Sequence, residues 1–201
     1  MIYNLFVKIN GIFIFNKNLP WRKIWTNLRI NRATRKANQL SWKIIHNTVY
    51  TEAKLQKMGR SMNGLSHFCN TQVETLKHLC YDCTVIQQNW VKIISTLKHY
   101  MNTLEIKNID INEITEELIF LGIYEENRKE SYVLNTIINM SKFSFWRSRN
   151  IIRYQQKLYI PKTLLQLVKS EMIMLIESIP RKSIETRNFV NELNKVVELI
   201  K

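Results

Sequence analysis

The sequence of 201 residues predicts a mainly α protein, an irregular helical bundle, and three observations carry that expectation. Beyond residue 18 the apolar positions recur at i, i+3, i+4 and i+7 almost throughout, the spacing of one helix face. Only 4 Gly and 3 Pro occur, too few turn formers for a many-stranded sheet. The hydrophobic fraction of 45% suits a globular chain that buries a core rather than a disordered one.

The first eighteen residues, MIYNLFVKINGIFIFNKN, break this pattern. Two β-favouring runs flank Asn10-Gly11, the turn pair of a short β-hairpin. Lys8, Asn10 and Gly11 leave the apolar stretch too short and too polar to span a bilayer. No positive segment precedes it and no small-residue cleavage site follows, so it does not read as a signal peptide. Asn18 is placed to cap a helix with Trp21, Ile24, Trp25 and Leu28 on one face. Trp21 and Trp25 are candidates to stack on bases, but at that spacing they read better as core residues. A second helix over 31–47 sets Leu40, Ile44 and Ile45 against Arg32, Arg35, Lys36 and Lys43 on its other side. Thr51 opens a short helix, TEAKLQKM, which Gly59 closes.

The stretch GRSMNGLSHFCNTQ (59–72) is non-helical, and VETLKHLCYDC and TVIQQNWVKIISTLKHYM follow as a short and a longer helix. Residues 104–111 form a polar link to an acidic helix near 112–121. A long helix begins near Glu126 and carries Val133, Ile137, Ile138, Met140 and Phe145. Pro161 starts the next helix, and Pro180 divides it from a last amphipathic helix at 183–200.

The net charge of +14 is unevenly spread. Residues 1–60 hold 12 Lys or Arg and a single acid, Glu52; residues 101–130 hold 3 basic residues and 8 acids; residues 131–160 hold 5 basic residues and no acid. A basic block of this kind favours a polyanionic partner, RNA or DNA. A membrane surface is disfavoured, because the apolar stripes are sized for a helical core and not for a broad lipid-facing side. The candidate phosphate contacts are Arg22, Lys23, Arg29, Arg32, Arg35, Lys36 and Lys43, with a second strip of Lys142, Arg147, Arg149 and Arg153 on the helix of Trp146. Arg147 and Arg149 lie two apart and cannot both face one partner squarely.

The segment HFCNTQVETLKHLCYDC (67–83) gathers all 3 cysteines and two of the 4 histidines. Zinc takes four N or S ligands in a tetrahedron, delivered by a turn and a helix. Cys69, His78 and Cys83 supply three, provided that the chain leaves the helix between His78 and Cys83. A cysteine three residues before Cys69 would complete a C-x2-C knuckle, but that position is Ser66, whose hydroxyl hardly ionises at neutral pH. His67 is the candidate fourth ligand and Cys80 the other, although Cys80 reads better as a small core residue. Glu74, four residues before His78, reads as support for the helix and not as a general base, so no catalytic residue is assigned. Cysteines confined to 69–83 argue against a disulfide framework and for a reducing intracellular compartment, cytoplasmic or nuclear.

Taken together, these residues resemble the zinc-binding domain that follows the reverse transcriptase in the polyproteins of LINE-type (non-LTR) retrotransposons. That pattern runs through a Trp-containing helix, C-x2-C, a Glu-Thr pair, two residues, His, four residues, Cys, and a Trp seven residues later. Here stand LSWKIIHNTVYTEAKLQKMG (40–59), Cys69, Glu74-Thr75, His78, Cys83 and Trp90. Upstream, LPWRKIWTNL is similar to the Trp-rich lead-in of the same region. Downstream, NTIINMSKFSFWRSRN is similar to the helix ending W-x-x-R-N in the C-terminal tail of such polyproteins. The likeness covers residues 19–176 and departs from the pattern at Ser66 and at Cys80, where a large apolar residue normally follows His-Leu.

The sequence holds no aromatic-Ala-Asp-Asp polymerase motif and no acidic endonuclease constellation, so the chain is not expected to be an enzyme. It reads as a C-terminal piece of such a polyprotein. The resemblance implies zinc as cofactor and an accessory module that holds RNA or DNA for the upstream polymerase domain of the same polyprotein. The alternative is an inactive structural or protein-interaction fragment with a degraded metal site. The expected organisation is a hairpin at 1–18, a basic helical zinc-binding-like domain at 19–103 with a small zinc-knuckle-like loop, an acidic linker and helix at 104–125, and a C-terminal helical region at 126–201.

Overall fold

Caps and prolines set where the helices begin. In the computed structural model, which describes residues 19–30, 32–106, 109, 111, 113–124, 129–155 and 161–200, helix α1 (Trp21–Ile30) follows Pro20. The Pro20 carbonyl accepts from the N–H groups of Lys23 and Ile24. The Thr34 hydroxyl accepts from the Ala37 N–H at 3.2 Å and starts α2 (Arg35–Ile45). Thr51 does the same for α3 (Glu52–Lys57), which ends ahead of Gly59 at φ +68. These hydroxyls satisfy N–H groups that the first helical turn leaves without partners.

After an irregular loop come a π turn (His78–Asp82), α4 (Thr84–Thr103), α5 (Glu116–Leu121), α6 (Lys129–Gln155), α7 (Pro161–Ser178) and α8 (Ile184–Leu199). Ser183 and Thr186 cap α8 reciprocally. The fold is mainly helical, as expected. The hairpin expected at 1–18 and the cap expected of Asn18 lie outside the described residues.

Helix α6 is the axis of the bundle. It packs against α1, α2, α7, α8 and the π turn, and its residues Val133, Leu134, Ile137, Ile138, Met140 and Phe145 are buried. One apolar core therefore runs from Ile24 on α1 to Ile200 beyond α8. From 133 to 145 α6 is enclosed, so its polar residues there are buried too, and most of them bond internally as buried polar groups must. Ser141 and Ser144 donate to the carbonyls of Ile137 and Met140, and Asn139 accepts from Ser41 on α2 at 2.8 Å. Asn135 clasps Ile123 with both ends of its amide, donating to the carbonyl at 2.8 Å and accepting from the N–H at 2.7 Å. Gly122 makes that clasp attainable, since its φ of +73 is a left-handed conformation and a Cβ there would meet Asn135 Oδ1 at 2.5 Å.

Candidate metal centre and basic face

The knuckle loop is closed by an isolated antiparallel bridge between Leu65 and Val73. Within it the Asn70 N–H donates to the Ser66 carbonyl at 2.8 Å, turning the chain so that Cys69 faces back toward His78. The Thr75 hydroxyl caps the following turn by accepting from the His78 N–H at 3.0 Å. The chain then passes into the π turn, whose Cys83 N–H donates to the His78 carbonyl at 3.1 Å. A five-residue hydrogen bond brings residues five apart onto one side, which an α-helical turn would not do. This is how the His-x4-Cys spacing delivers both ligands to one point. The irregular turn is secured by Trp90, whose indole N–H donates to the Cys80 carbonyl at 2.8 Å while its buried ring meets Phe145 edge-on at 5.1 Å.

The outcome is a group of three donors. One ligand atom each from Cys69, His78 and Cys83 lie within 4.8 Å of one another, and Cys69 Sγ stands 3.3 Å from His78 Nε2. Zinc bonds of about 2.3 Å to sulfur and about 2.0 Å to nitrogen in a tetrahedron put S and N roughly 3.5 Å apart, so the donors fit the ion. Burial alone would push the Cys69 thiol up. Bonds from the Thr71 side chain and backbone, the Gln72 backbone and His78 outweigh it and hold the pKa down to about 6. Cys83 is raised, first by burial and also by the neighbouring Cys69, although the backbone N–H groups of Val85 and Ile86 favour its thiolate. A divalent cation between two such sulfurs removes that conflict. Bound there, zinc would supply a structural cross-link between the knuckle and the π turn.

Ser66 occupies the knuckle position of a fourth ligand. It is fully buried, and its hydroxyl accepts from the Phe68 N–H at 3.3 Å, the same two-residue step by which Thr71 and Val85 reach the sulfurs of Cys69 and Cys83. His67, the candidate fourth ligand, is not in the group. Its Nε2 lies 3.2 Å from Glu52 Oε1 instead. Burial lowers the His67 pKa, the Arg149 charge lowers it further, and Glu74 opposes both. Cys80 also stands outside the group. It is buried in the core, where burial pushes its thiol up to about 12.

Of the second expected basic strip, Lys142 and Arg149 are buried and Arg153 largely so, which overturns their reading as a nucleic-acid surface, whereas the Arg147 side chain is 46% exposed. Arg149 is 1% exposed. It donates to both oxygens of Glu74, at 3.0 and 3.1 Å from Nε, and from its Nη2 to Glu74 Oε1 and Glu52 Oε1, each at 2.6 Å. Arg153 pairs with Glu52, and Arg147 pairs with Glu171 on α7. Lys142 is buried, and burial brings its pKa down to about 8. Desolvating cations without partners is costly, so those on the enclosed helix α6 are paired with acids or lose their charge readily. The Glu-Thr pair of the knuckle and the Arg-Asn of the W-x-x-R-N ending are thus two halves of one clasp. Glu74 also accepts from the Glu52 N–H at 2.9 Å, and so holds α3, the knuckle and α6 together rather than acting on its own helix alone.

The first basic group is oriented differently. Arg22, Lys23, Arg35, Lys36 and Lys43 are exposed on α1 and α2. Arg32 is half-buried, with its guanidinium 5.1 Å from the centre of the Phe189 ring, and the Arg29 side chain lies outside the described residues. Beside these cations runs an aromatic series, of which the sequence favours Trp21 and Trp25 as core residues over base-stacking ones and leaves Trp42 and His46 unassigned. Trp21 and Trp25 stack at 6.0 Å, Trp25 stacks on His46 at 5.2 Å, and Trp42 meets His46 at 4.0 Å. Trp21 and Trp25 are half-buried and pack on the core, whereas Trp42 is 50% exposed. The signal was available in the spacing, since Trp42 and His46 are four apart on a face that also carries Arg35 and Gln39.

Among the described residues, no helix is long and apolar enough to cross a membrane. No curated protein and no solved structure matches the chain. Residues 2–90 match the family described as zinc-binding in reverse transcriptase, and the matched segment, which contains the Cys69–His78–Cys83 group, is similar to a reverse-transcriptase-associated zinc-binding domain.

Proposed function

We propose that the chain is a nucleic-acid-binding accessory module that contacts RNA or DNA phosphates through the exposed face of α1 and α2 and carries out no chemistry itself. The observation that carries this reading is the charge of that face. Five exposed cations lie on α1 and α2, and the sequence has no acid before Glu52, which is itself buried against Arg149. Zinc at Cys69, His78 and Cys83 serves the fold, fixing the knuckle and π turn on which α3 and α6 are clasped. In the family that residues 2–90 match, the natural partner would be the polymerase domain of the same polyprotein.

The test is the salt dependence of binding to a short duplex. If the five cations each neutralise a phosphate, log K falls with log salt at a slope of about −4 to −5. A flat dependence, or no retention at low salt, overturns the reading. One observation favours a purely structural role instead, namely Ser66 at the knuckle position of a ligand. That role requires purified protein without stoichiometric zinc and a stability that chelator leaves unchanged.

A further inference from the structure

Between α1 and α2 lies a surface groove of about 750 Å³ lined by Trp25, Leu28, Arg35, Gln39 and Trp42. Two stripes form it. Trp21, Trp25 and Leu28 follow one another at i, i+4 and i+7 on α1, and Arg35, Gln39, Trp42 and His46 follow at i, i+4, i+7 and i+11 on α2. The groove is open; the planes of Trp21, Trp25 and His46 are nearly parallel, with 24° between Trp21 and Trp25 and 12° between Trp25 and His46, while Trp42 closes the series tilted by 51° to His46. Burial lowers the His46 pKa, so at neutral pH this ring joins the series uncharged.

We propose that this groove is a stacking platform for unpaired bases, and that the module therefore binds single-stranded nucleic acid in preference to duplex. The proposal rests on the nucleic-acid reading above and names the part of the strand that the α1–α2 face takes. Charge complementarity selects the occupant. An apolar helix from a protein partner would suit a groove with a neutral or acidic lining, whereas this groove is lined by Arg35, and its two helices carry Arg22, Lys23, Lys36 and Lys43 as further exposed cations with no acid on either helix. Cations set beside exposed aromatic faces are the arrangement that holds a backbone and its bases together, without sequence preference, because every base presents a π face. Trp42, with half of its surface free and its plane tilted from that of His46, offers an exposed face at the end of the series on which a base can stack. Gln39 and Arg35 stand one and two turns away along the same face, placed for base edges and phosphate. A duplex keeps its bases stacked on one another and can use the cations only.

The full chain is titrated with a 12-nucleotide oligo(U), with oligo(dT) of the same length and with a 12-base-pair duplex, following tryptophan fluorescence and anisotropy. The expected result is quenching and tighter binding with both single strands. Trp42→Ala should lower single-strand affinity by roughly tenfold to a hundredfold, the range for one stacked base, and Trp42→Phe should restore most of it. Circular dichroism of each variant verifies the fold, which a half-exposed side chain is not needed to maintain. Single-strand binding unchanged in Trp42→Ala, or equal affinity for strand and duplex, overturns the platform while leaving phosphate binding intact. Failure of all three oligonucleotides to bind at low salt overturns the nucleic-acid reading itself. Preference between oligo(U) and oligo(dT) distinguishes RNA from DNA as the source of the strand.

Discussion

Replacing Arg149 by Met separates the two assignments that its side chain has received. As a surface cation it would affect nucleic-acid affinity and little else. As the centre of the Glu52–Glu74 clasp it should affect stability. The substitution removes three bonds to the fully buried Glu74 and one to Glu52. Glu52 keeps Arg153 and His67, but Glu74 is left with the Glu52 N–H alone. A buried carboxylate stripped of its cation costs about 3–5 kcal/mol. The cost has a ceiling, because the carboxyl can take up a proton instead. At pH 7, protonating a glutamate of ordinary pKa, about 4.3, costs about 3.7 kcal/mol, so the loss should be about 3–4 kcal/mol.

That ceiling gives a sign that can be tested. In the variant the folded state then binds one more proton than the unfolded state, so its stability rises as pH falls, by about 1.4 kcal/mol per pH unit down to about pH 5. The deficit relative to wild type should therefore shrink on acidification. Urea unfolding at pH 7 and pH 5.5, with zinc present, measures both effects. Adding Glu74→Leu should recover much of the loss, since removing both partners spares the fold a lone buried charge. An unchanged urea midpoint in Arg149→Met, together with weakened binding to nucleic acid, would refute the clasp and return Arg149 to the surface.

The other expectations concern single sites. Lys142→Met should stabilise the protein by a few kcal/mol at pH 7, because the buried ammonium is held at a pKa of about 8 against an ordinary 10.5. Between those values the unfolded chain binds the extra proton and wild-type stability rises with pH, so the advantage of the variant should fade from about pH 8 to about pH 10.5, as urea midpoints across this range would show. His67→Ala should retain stoichiometric zinc in metal analysis, whereas Cys83→Ala should lose it and Ser66→Cys should bind more tightly in competition with a chromophoric chelator. Trp90→Phe keeps the ring against Phe145 but leaves the Cys80 carbonyl without its indole donor, which should cost about 1–3 kcal/mol by chemical denaturation.

Much of the fold was legible because its causes are local. Thr51, Gly59, Pro161 and Ser183 act on their immediate neighbours, and apolar spacing follows from the helical repeat. The metal group was legible for the same reason, since Cys69, His78 and Cys83 lie within fifteen residues and their spacing implied a break from the α-helix. The direction of a long cation is a different kind of fact. Arg149 finds Glu74 across 75 residues of chain and Glu52 across 97, and nothing adjacent to it distinguishes a counterion from a surface charge. His67 was misjudged in the same manner, because reach along the chain says nothing of the carboxylate that waits on another helix.

A clue nonetheless lay in the rarity of acids. Residues 1–81 contain only Glu52 and Glu74. Both prove to be buried, and both are bound by arginines of α6, which carries no acid after Glu130. An isolated acid in a basic segment has abundant cations within reach, so if it is buried its partners must be fixed by the fold rather than chosen from the surface. Glu52 and Glu74 against Arg149 and Arg153, with His67 held toward neutrality, make a cluster whose formal charges cancel. That cancellation takes two arginines of the C-terminal strip out of the external field and both acids out of the N-terminal segment. On α1 and α2 this leaves five exposed cations and no acid, on the helices that also carry the half-exposed Trp42. The internal clasp and the external basic face are consequences of a single partition of charge.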